Sequence, residues 1–137
     1  MERVKVGIIN VTGYIGIDLA RLLHQHPGVN LVSVTGRSAA GEKLSTVFPH
    51  MADADLHITA ELGDVTLAFS ALPHAASAEA VSRALEQEIK VVDISADFRL
   101  NKKQTYEEWY KVTHPVPELL DEAVYGLPEL NRSEIAR

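Results

Sequence analysis

Residues 4–16 constrain this chain more than any other stretch. Val4-Lys5-Val6-Gly7-Ile8-Ile9 is an apolar, β-branched run that suits a strand buried on both faces. Asn10-Val11-Thr12-Gly13-Tyr14-Ile15-Gly16 follows it directly into a helical pattern. In that pattern Ile15, Leu19, Leu22 and Leu23 recur at helical spacing and are expected to form one buried face, with Pro27-Gly28 ending the helix. A buried strand that turns through glycines into a helix points backbone N–H groups at an anion, and in the G-x-G-x-x-G form that anion is a dinucleotide pyrophosphate. Gly13 and Gly16 hold the last two glycine positions, and Asn10 stands at the first. Asparagine tolerates a left-handed backbone better than most residues, so the turn is expected to survive the exchange.

The next strand is Asn30-Leu31-Val32-Ser33-Val34-Thr35, followed by Gly36-Arg37-Ser38-Ala39-Ala40-Gly41. A domain that prefers NAD places an acid near this point to take the ribose hydroxyls, whereas an arginine accommodates the 2′-phosphate of NADP. No acid occurs here before Glu42. Arg37, with the Ser38 hydroxyl, therefore points to NADP; the competing reading of Arg37 is an ordinary exposed loop arginine.

Beyond a looser stretch from Ser38 to Asp55, strand and helix patterns alternate. Leu56–Thr59 and Val65–Phe69 read as strands, Ala76–Glu88 as a helix with Ala80, Val81, Ala84 and Leu85 on one face, and Lys90–Ser95 as a further strand. Such alternation predicts an α/β fold: a Rossmann-like, doubly wound, mostly parallel sheet, with residues 1–137 as one cofactor-binding domain. Gln104–Lys111 is expected to be a helix that packs through Tyr106, Trp109 and Tyr110. Asn131 is expected to cap a last helix that is cut off at Arg137, as in a piece of a longer polypeptide.

Ligands of such sheets bind beyond the carboxyl ends of the strands, which singles out two more segments. In Ser70-Ala71-Leu72-Pro73-His74, the histidine is a candidate hydrogen-bonding group beside a cofactor, or else a cap for the next helix. In Ser95-Ala96-Asp97-Phe98-Arg99, Asp97 and Arg99 either pair as scaffold or leave Arg99 free to grip an anionic substrate. Asp93 lies within its strand and reads as structural. A formal charge of −6 gives no electrostatic support to nucleic-acid binding. The absence of cysteine removes disulfides, thiolate metal sites and a thiol nucleophile from these 137 residues. His24, His26, His50, His57 and His114 have no partners at metal-ligand spacing, and no metal is expected. No apolar run reaches the length of a membrane span and no signal-peptide pattern is present, so no membrane partner and a cytoplasmic location are expected.

Taken together these segments resemble the N-acetyl-γ-glutamyl-phosphate reductases of arginine biosynthesis, in the semialdehyde dehydrogenase group. The resemblance runs through Thr12–Gly16, Gly36–Gly41, Val47-Phe48-Pro49-His50, Ala71–His74, Asp93–Leu100, Tyr106–Tyr110 and Tyr125–Arg132. Its most specific parts are Ser95-Ala96-Asp97-Phe98-Arg99 and Tyr125-Gly126-Leu127-Pro128-Glu129-Leu130-Asn131. The resemblance implies an NADP-dependent reduction of a small-molecule acyl phosphate to an aldehyde, through attack by a cysteine and hydride transfer to the resulting thioester. It places Asn10, Thr12, Gly13, Tyr14, Ile15 and Gly16 at the pyrophosphate turn, and Arg37 and Ser38 at the 2′-phosphate. Leu72, Pro73 and His74 would border the cofactor, with Ser95 and Arg99 in the substrate cleft. The chain departs from the family where Asn10 and Val11 replace Gly-Ala, where Gly36 replaces serine and where Ala75 replaces glycine. The family's Asn-Pro-Gly-Cys motif, and the α+β domain used for substrate binding and homo-oligomerisation, would come after Arg137. This chain alone is accordingly expected to carry no catalytic residue and to be inactive. The alternatives are a non-catalytic NADP(H)-sensing module and the corresponding part of the related lysine-biosynthesis reductase.

Overall fold

The computed structural model describes residues 2–137. β1 (Val4–Ile9) runs into α1 (Tyr14–Gln25) and returns as β2 (Val29–Thr35). A 3-10 turn at Arg37–Ala39, the short α2 (Leu44–Val47) and a second 3-10 turn at Pro49–Met51 lead to β3 (Ile58–Thr59). The chain then crosses to β4 (Leu67–Ser70), α3 (Ser77–Glu86) and β5 (Lys90–Asp93), and finishes with α4 (Lys103–Tyr110), a 3-10 turn at Pro117–Asp121 and α5 (Pro128–Ile135). All strand pairs are parallel, in the order β3-β2-β1-β4-β5. This is the doubly wound α/β architecture expected from the alternating pattern.

Side chains alternate across β1 and so feed two cores. Val6 and Ile8 pack with Ile17, Ala20 and Leu23 of α1, while Ile9 joins Val32, Ala68 and Ala84 on the α3 side. Burying an aliphatic side chain of this kind stabilises by about 1.5–3 kcal/mol. Contacts through Ile17 and Leu23 therefore hold α1 to the sheet.

The structure turns α1 differently from the expected face. Its buried residues are Gly16, Ile17, Ala20 and Leu23, while Ile15 and Leu22 are more than half exposed. The cause is Gly16: a Cβ there would lie 2.2 Å from the Asn10 carbonyl oxygen. The helix rests on the β1 turn through that glycine, and the contact sets its roll. In α3, Leu85 likewise points outward, and the packed stripe is Ser77, Ala78, Val81 and Ala84. The aromatic face of α4 divides: Tyr106 is fully buried, whereas Trp109 is 74% exposed. β5 stops at Asp93 rather than Ser95, because the Asp93 carboxylate accepts the Ser95 N–H (3.1 Å) and Oγ–H (2.7 Å) and bends the chain. α5 begins at Pro128, which suits the first helical turn. Asn131 is not its cap; it sits inside the helix at a kink and donates through its amide to the Tyr125 carbonyl at 3.0 Å.

Candidate functional site

β1 and β4 are neighbours in the sheet, yet the chain leaves β1 toward one face and β4 toward the other. Their carboxyl ends form the switch-point crevice where ligands of such sheets bind. Asn10 spans it. Its φ is 69°, the left-handed conformation a glycine would take, and the asparagine adds what a glycine lacks. Asn10 Nδ2 donates to the Ala71 carbonyl just past β4 (3.1 Å), and Oδ1 accepts from Thr12 Oγ1 (3.3 Å). The Asn10 N–H donates to Thr35 Oγ1 at the end of β2 (3.2 Å). One residue thus ties together the ends of three strands.

α1 opens onto this crevice without a cap. Gly13 is its N-cap, no side chain bonds its first turn, and that turn holds no acid. Among the described residues nothing accepts from the N–H groups of Tyr14, Ile15 or Gly16. Unpaired N–H groups at a helix N-terminus, with the helix dipole behind them, attract an anion. A Cβ on Gly13 would meet only Asn10 Nδ2, at 3.6 Å. The fold itself would accept a side chain there, and the glycine leaves the space over the helix end open. Tyr14 beside it is 96% exposed.

A cleft of about 440 Å³ adjoins the turn. It brings together five of the residues singled out in the sequence: Asn10, Thr12, Arg37, Ser38 and Leu72. Gly13, Tyr14, Ile15 and Gly16 are not in its wall but form the adjacent helix end. Pro73 and His74 also lie outside the wall, and the His74 ring tilts against Tyr110 with centroids 5.7 Å apart. The opposite wall is one face of α3 with the residue that ends it, including Glu79, Arg83 and, just past the helix, Gln87, residues the sequence reading did not single out. Their signal was present as a polar stripe at i, i+4, i+8 on the helix that follows a crevice strand. Ser95 and Arg99 lie elsewhere, on a second cleft of about 920 Å³ along β5.

Asp97 and Arg99 do not pair. Asp97 is fully buried and faces the start of α3, while Arg99 is exposed, with Nη2 3.5 Å from the Ser95 carbonyl oxygen. Asp97 Oδ2 accepts the N–H groups of Ser77 (3.1 Å) and Ala78 (2.9 Å); Oδ1 accepts the Ala75 N–H (2.8 Å) and the Tyr106 hydroxyl (2.8 Å). The cap of α3 is therefore this aspartate, brought in from beyond β5, and not His74. Ala75, which replaces a glycine of the resembling family, is itself left-handed at φ 65° and turns the chain between His74 and the helix. Asp97 N–H donates to Ser95 Oγ (3.0 Å), so the Ser95 hydroxyl both donates and accepts within this network. Ser77 Oγ meets Ser70 Oγ at 2.6 Å and donates to Asp93 Oδ1 at 2.7 Å. His114 closes the back: Nδ1 accepts from the Val116 N–H, which leaves Nε2 to donate to the Asp97 carbonyl at 2.8 Å. Burial, followed by the hydrogen bond to Asp97 and that residue's charge, pushes the Tyr106 phenol well above its ordinary range.

Comparison with known proteins extends this geometry. Residues 5–137 match the family described as "Semialdehyde dehydrogenase, NAD binding domain". A protein of Dehalococcoides mccartyi named N-acetyl-gamma-glutamyl-phosphate reductase is 58% identical over 137 residues, covering 99% of this chain and 40% of its own length. One of the same name from Heliobacterium modesticaldum is 45% identical, covering 98% and 40%. The chain thus spans about 40% of the length of the curated relatives it matches. Among solved structures, aspartate semialdehyde dehydrogenase with NADP from Candida albicans superposes with a TM-score of 0.65 at 21% identity, over 74% of this chain and 32% of that one. Aspartate semialdehyde dehydrogenase II from Vibrio cholerae superposes at 0.62 and 18%, over 98% and 38%. At these identities the superpositions show the fold.

Proposed function

Because this chain belongs to the semialdehyde dehydrogenase NAD-binding domain family, we propose that residues 1–137 hold NADP(H) for a cytoplasmic acyl-phosphate reductase of the N-acetyl-γ-glutamyl-phosphate type. The observation that carries the reading is the uncapped N-terminus of α1, with three N–H groups left free beside a cleft that holds Arg37 and Ser38. A pyrophosphate fits this end: the donors are unpaired, and Gly13 keeps the space above them open. Asn10 and Thr12 shape the turn, and Tyr14, Ile15 and Gly16 supply backbone donors. Arg37 and Ser38 take the 2′-phosphate, and Leu72, Pro73 and His74 border the nicotinamide end. When bound, the cofactor supplies the hydride that reduces the acyl group. Arg99, exposed past the end of β5, faces the anionic substrate beside Ser95. Covalent attack on an acyl phosphate needs a thiolate, and these 137 residues contain no cysteine. The chain's own work is accordingly to bind and orient the hydride donor.

The choice of NADP over NAD rests on where the charges stand. The carboxylates that reach the cleft, Glu61 and Glu79, come from beyond β3 and from α3; the end of β2, where an acid would take the ribose hydroxyls, carries Arg37 instead. Thermal unfolding of the chain with NADPH or NADH at equal concentration tests this. A ligand at one hundred times its Kd adds about 2.7 kcal/mol to folding, so NADPH raises Tm by several degrees more than NADH. Arg37→Ala removes the difference. Equal shifts, or none, overturn the reading.

A further inference from the structure

The far wall of the cleft carries a second arginine, and among the described residues no hydrogen bond or ion pair holds its side chain. Arg83 lies on the exposed side of α3, across the cleft from Arg37 and Ser38. The ion pairs among the described residues are Lys5–Asp64, Arg21–Asp18, Lys43–Asp55 and Lys103–Glu107, and neither Arg37 nor Arg83 takes part in one. Glu79 precedes Arg83 by one turn, in the order that favours an i, i+4 pair, yet the pair is not made. Long side chains on a helix lean toward its N-terminus. A side chain at position 83 that follows this tendency runs up the cleft, past Ala80 and Ala76, toward the end where Asn10 and Thr12 stand. Those two alanines leave room for a bound group between the walls.

A phosphate monoester carries close to two negative charges and three terminal oxygens. One guanidinium engages two of those oxygens and balances one charge. Arg37 with the Ser38 hydroxyl thus leaves a charge unanswered. We propose that Arg83 is a second cationic arm for the adenosine 2′-phosphate of the cofactor, reaching it from α3 opposite Arg37. The inference rests on the NADP reading and adds to it a residue 46 positions further along the chain. Glu61 and Glu79 sharpen the dependence. They line the same cleft, so with both arginines present its charges balance, and with either removed the carboxylates outnumber the cations against an incoming dianion.

The test is Arg83→Gln in the 137-residue chain, with Kd measured by calorimetry for NADPH, NADH, adenosine 2′,5′-bisphosphate and adenosine 5′-monophosphate. Arg83 is exposed, and the unliganded Tm of the variant is expected to match the parent. Losing one charge-assisted contact weakens NADPH and the bisphosphate about tenfold or more. NADH and the monophosphate stay within about twofold, and Arg83→Lys falls between. Equal weakening of NADPH and NADH overturns the proposal in favour of stacking on the adenine ring. Unchanged NADPH affinity, with a selective loss in Arg37→Gln, overturns it while leaving the NADP reading intact. A parent chain that does not prefer NADPH over NADH overturns both.

Discussion

Replacing Asp97 by alanine removes the acceptor of four hydrogen bonds at once: the N–H groups of Ala75, Ser77 and Ala78, and the Tyr106 hydroxyl. Ser77, Ala78 and Tyr106 are buried, and water reaches their donors poorly, whereas Ala75 is exposed and can turn to solvent. A buried donor left unpaired costs about 1–3 kcal/mol. Taking the low end for three such donors, because the site relaxes in part, Asp97→Ala loses about 3–5 kcal/mol of the 5–15 typical for a domain. The corresponding fall in Tm is roughly 10–20 °C for a chain of this length. Asp97→Asn separates the contributions. With the amide oxygen in place of Oδ2 the helix cap at Ser77 and Ala78 survives. The amide nitrogen then opposes the Ala75 N–H, and the Tyr106 hydroxyl can rotate to accept from it. The asparagine variant therefore loses about half as much as the alanine variant. Urea unfolding followed by far-UV circular dichroism measures both, and amide exchange at Ser77 and Ala78 reports the cap directly. An alanine variant within about 1 kcal/mol of the parent, well below the cost of three orphaned donors, would refute the argument. So would an asparagine variant as unstable as the alanine one.

The two left-handed positions beside the crevice should respond in opposite ways to glycine. Ala75→Gly relieves a conformation that costs an L-residue about 1–2 kcal/mol, against a smaller entropic penalty, and should raise stability by about 0.5–1 kcal/mol in the same urea assay. Asn10→Gly should bring no such gain, because it gives up the 3.1 Å bond to Ala71; a gain equal to that of Ala75→Gly would show that this bond contributes nothing. Tyr106 carries a pH signature. Its phenol is held above the ordinary value near 10, so above that pH the unfolded chain releases a proton that the folded chain keeps, and stability falls by up to about 1.4 kcal/mol per pH unit. Tyr106→Phe should be less stable at neutral pH but lack this alkaline slope; parallel profiles for variant and parent from about pH 9 to 11, spanning the ordinary tyrosine value, would refute the assignment.

What the sequence by itself determined is contiguous and periodic. The run from Val4 to Gly16 specifies strand, turn and helix because every group involved lies within a few residues of the next. The alternation of strand and helix patterns after it leaves a doubly wound sheet as the consistent fold. Arg37 at the end of β2 was legible for the same reason, and so was the left-handed turn at Asn10. Long-range contacts decided the rest. Helical periodicity says that α1 has an apolar side, but the collision a Gly16 side chain would make with the Asn10 carbonyl chose which residues face the sheet. Asp97 and Arg99 looked like a pair because they are two apart; folding carried the Asp97 carboxylate instead to the bare N–H groups of α3, some twenty residues back, where a buried charge finds four donors. Tyr106 and Trp109 share a pattern and separate because only Tyr106 finds that carboxylate for its hydroxyl. Arg83 reads in the sequence as one more exposed helix residue. It becomes a candidate ligand for the cofactor only because the order β3-β2-β1-β4-β5 sets the α3 face across a cleft from Arg37.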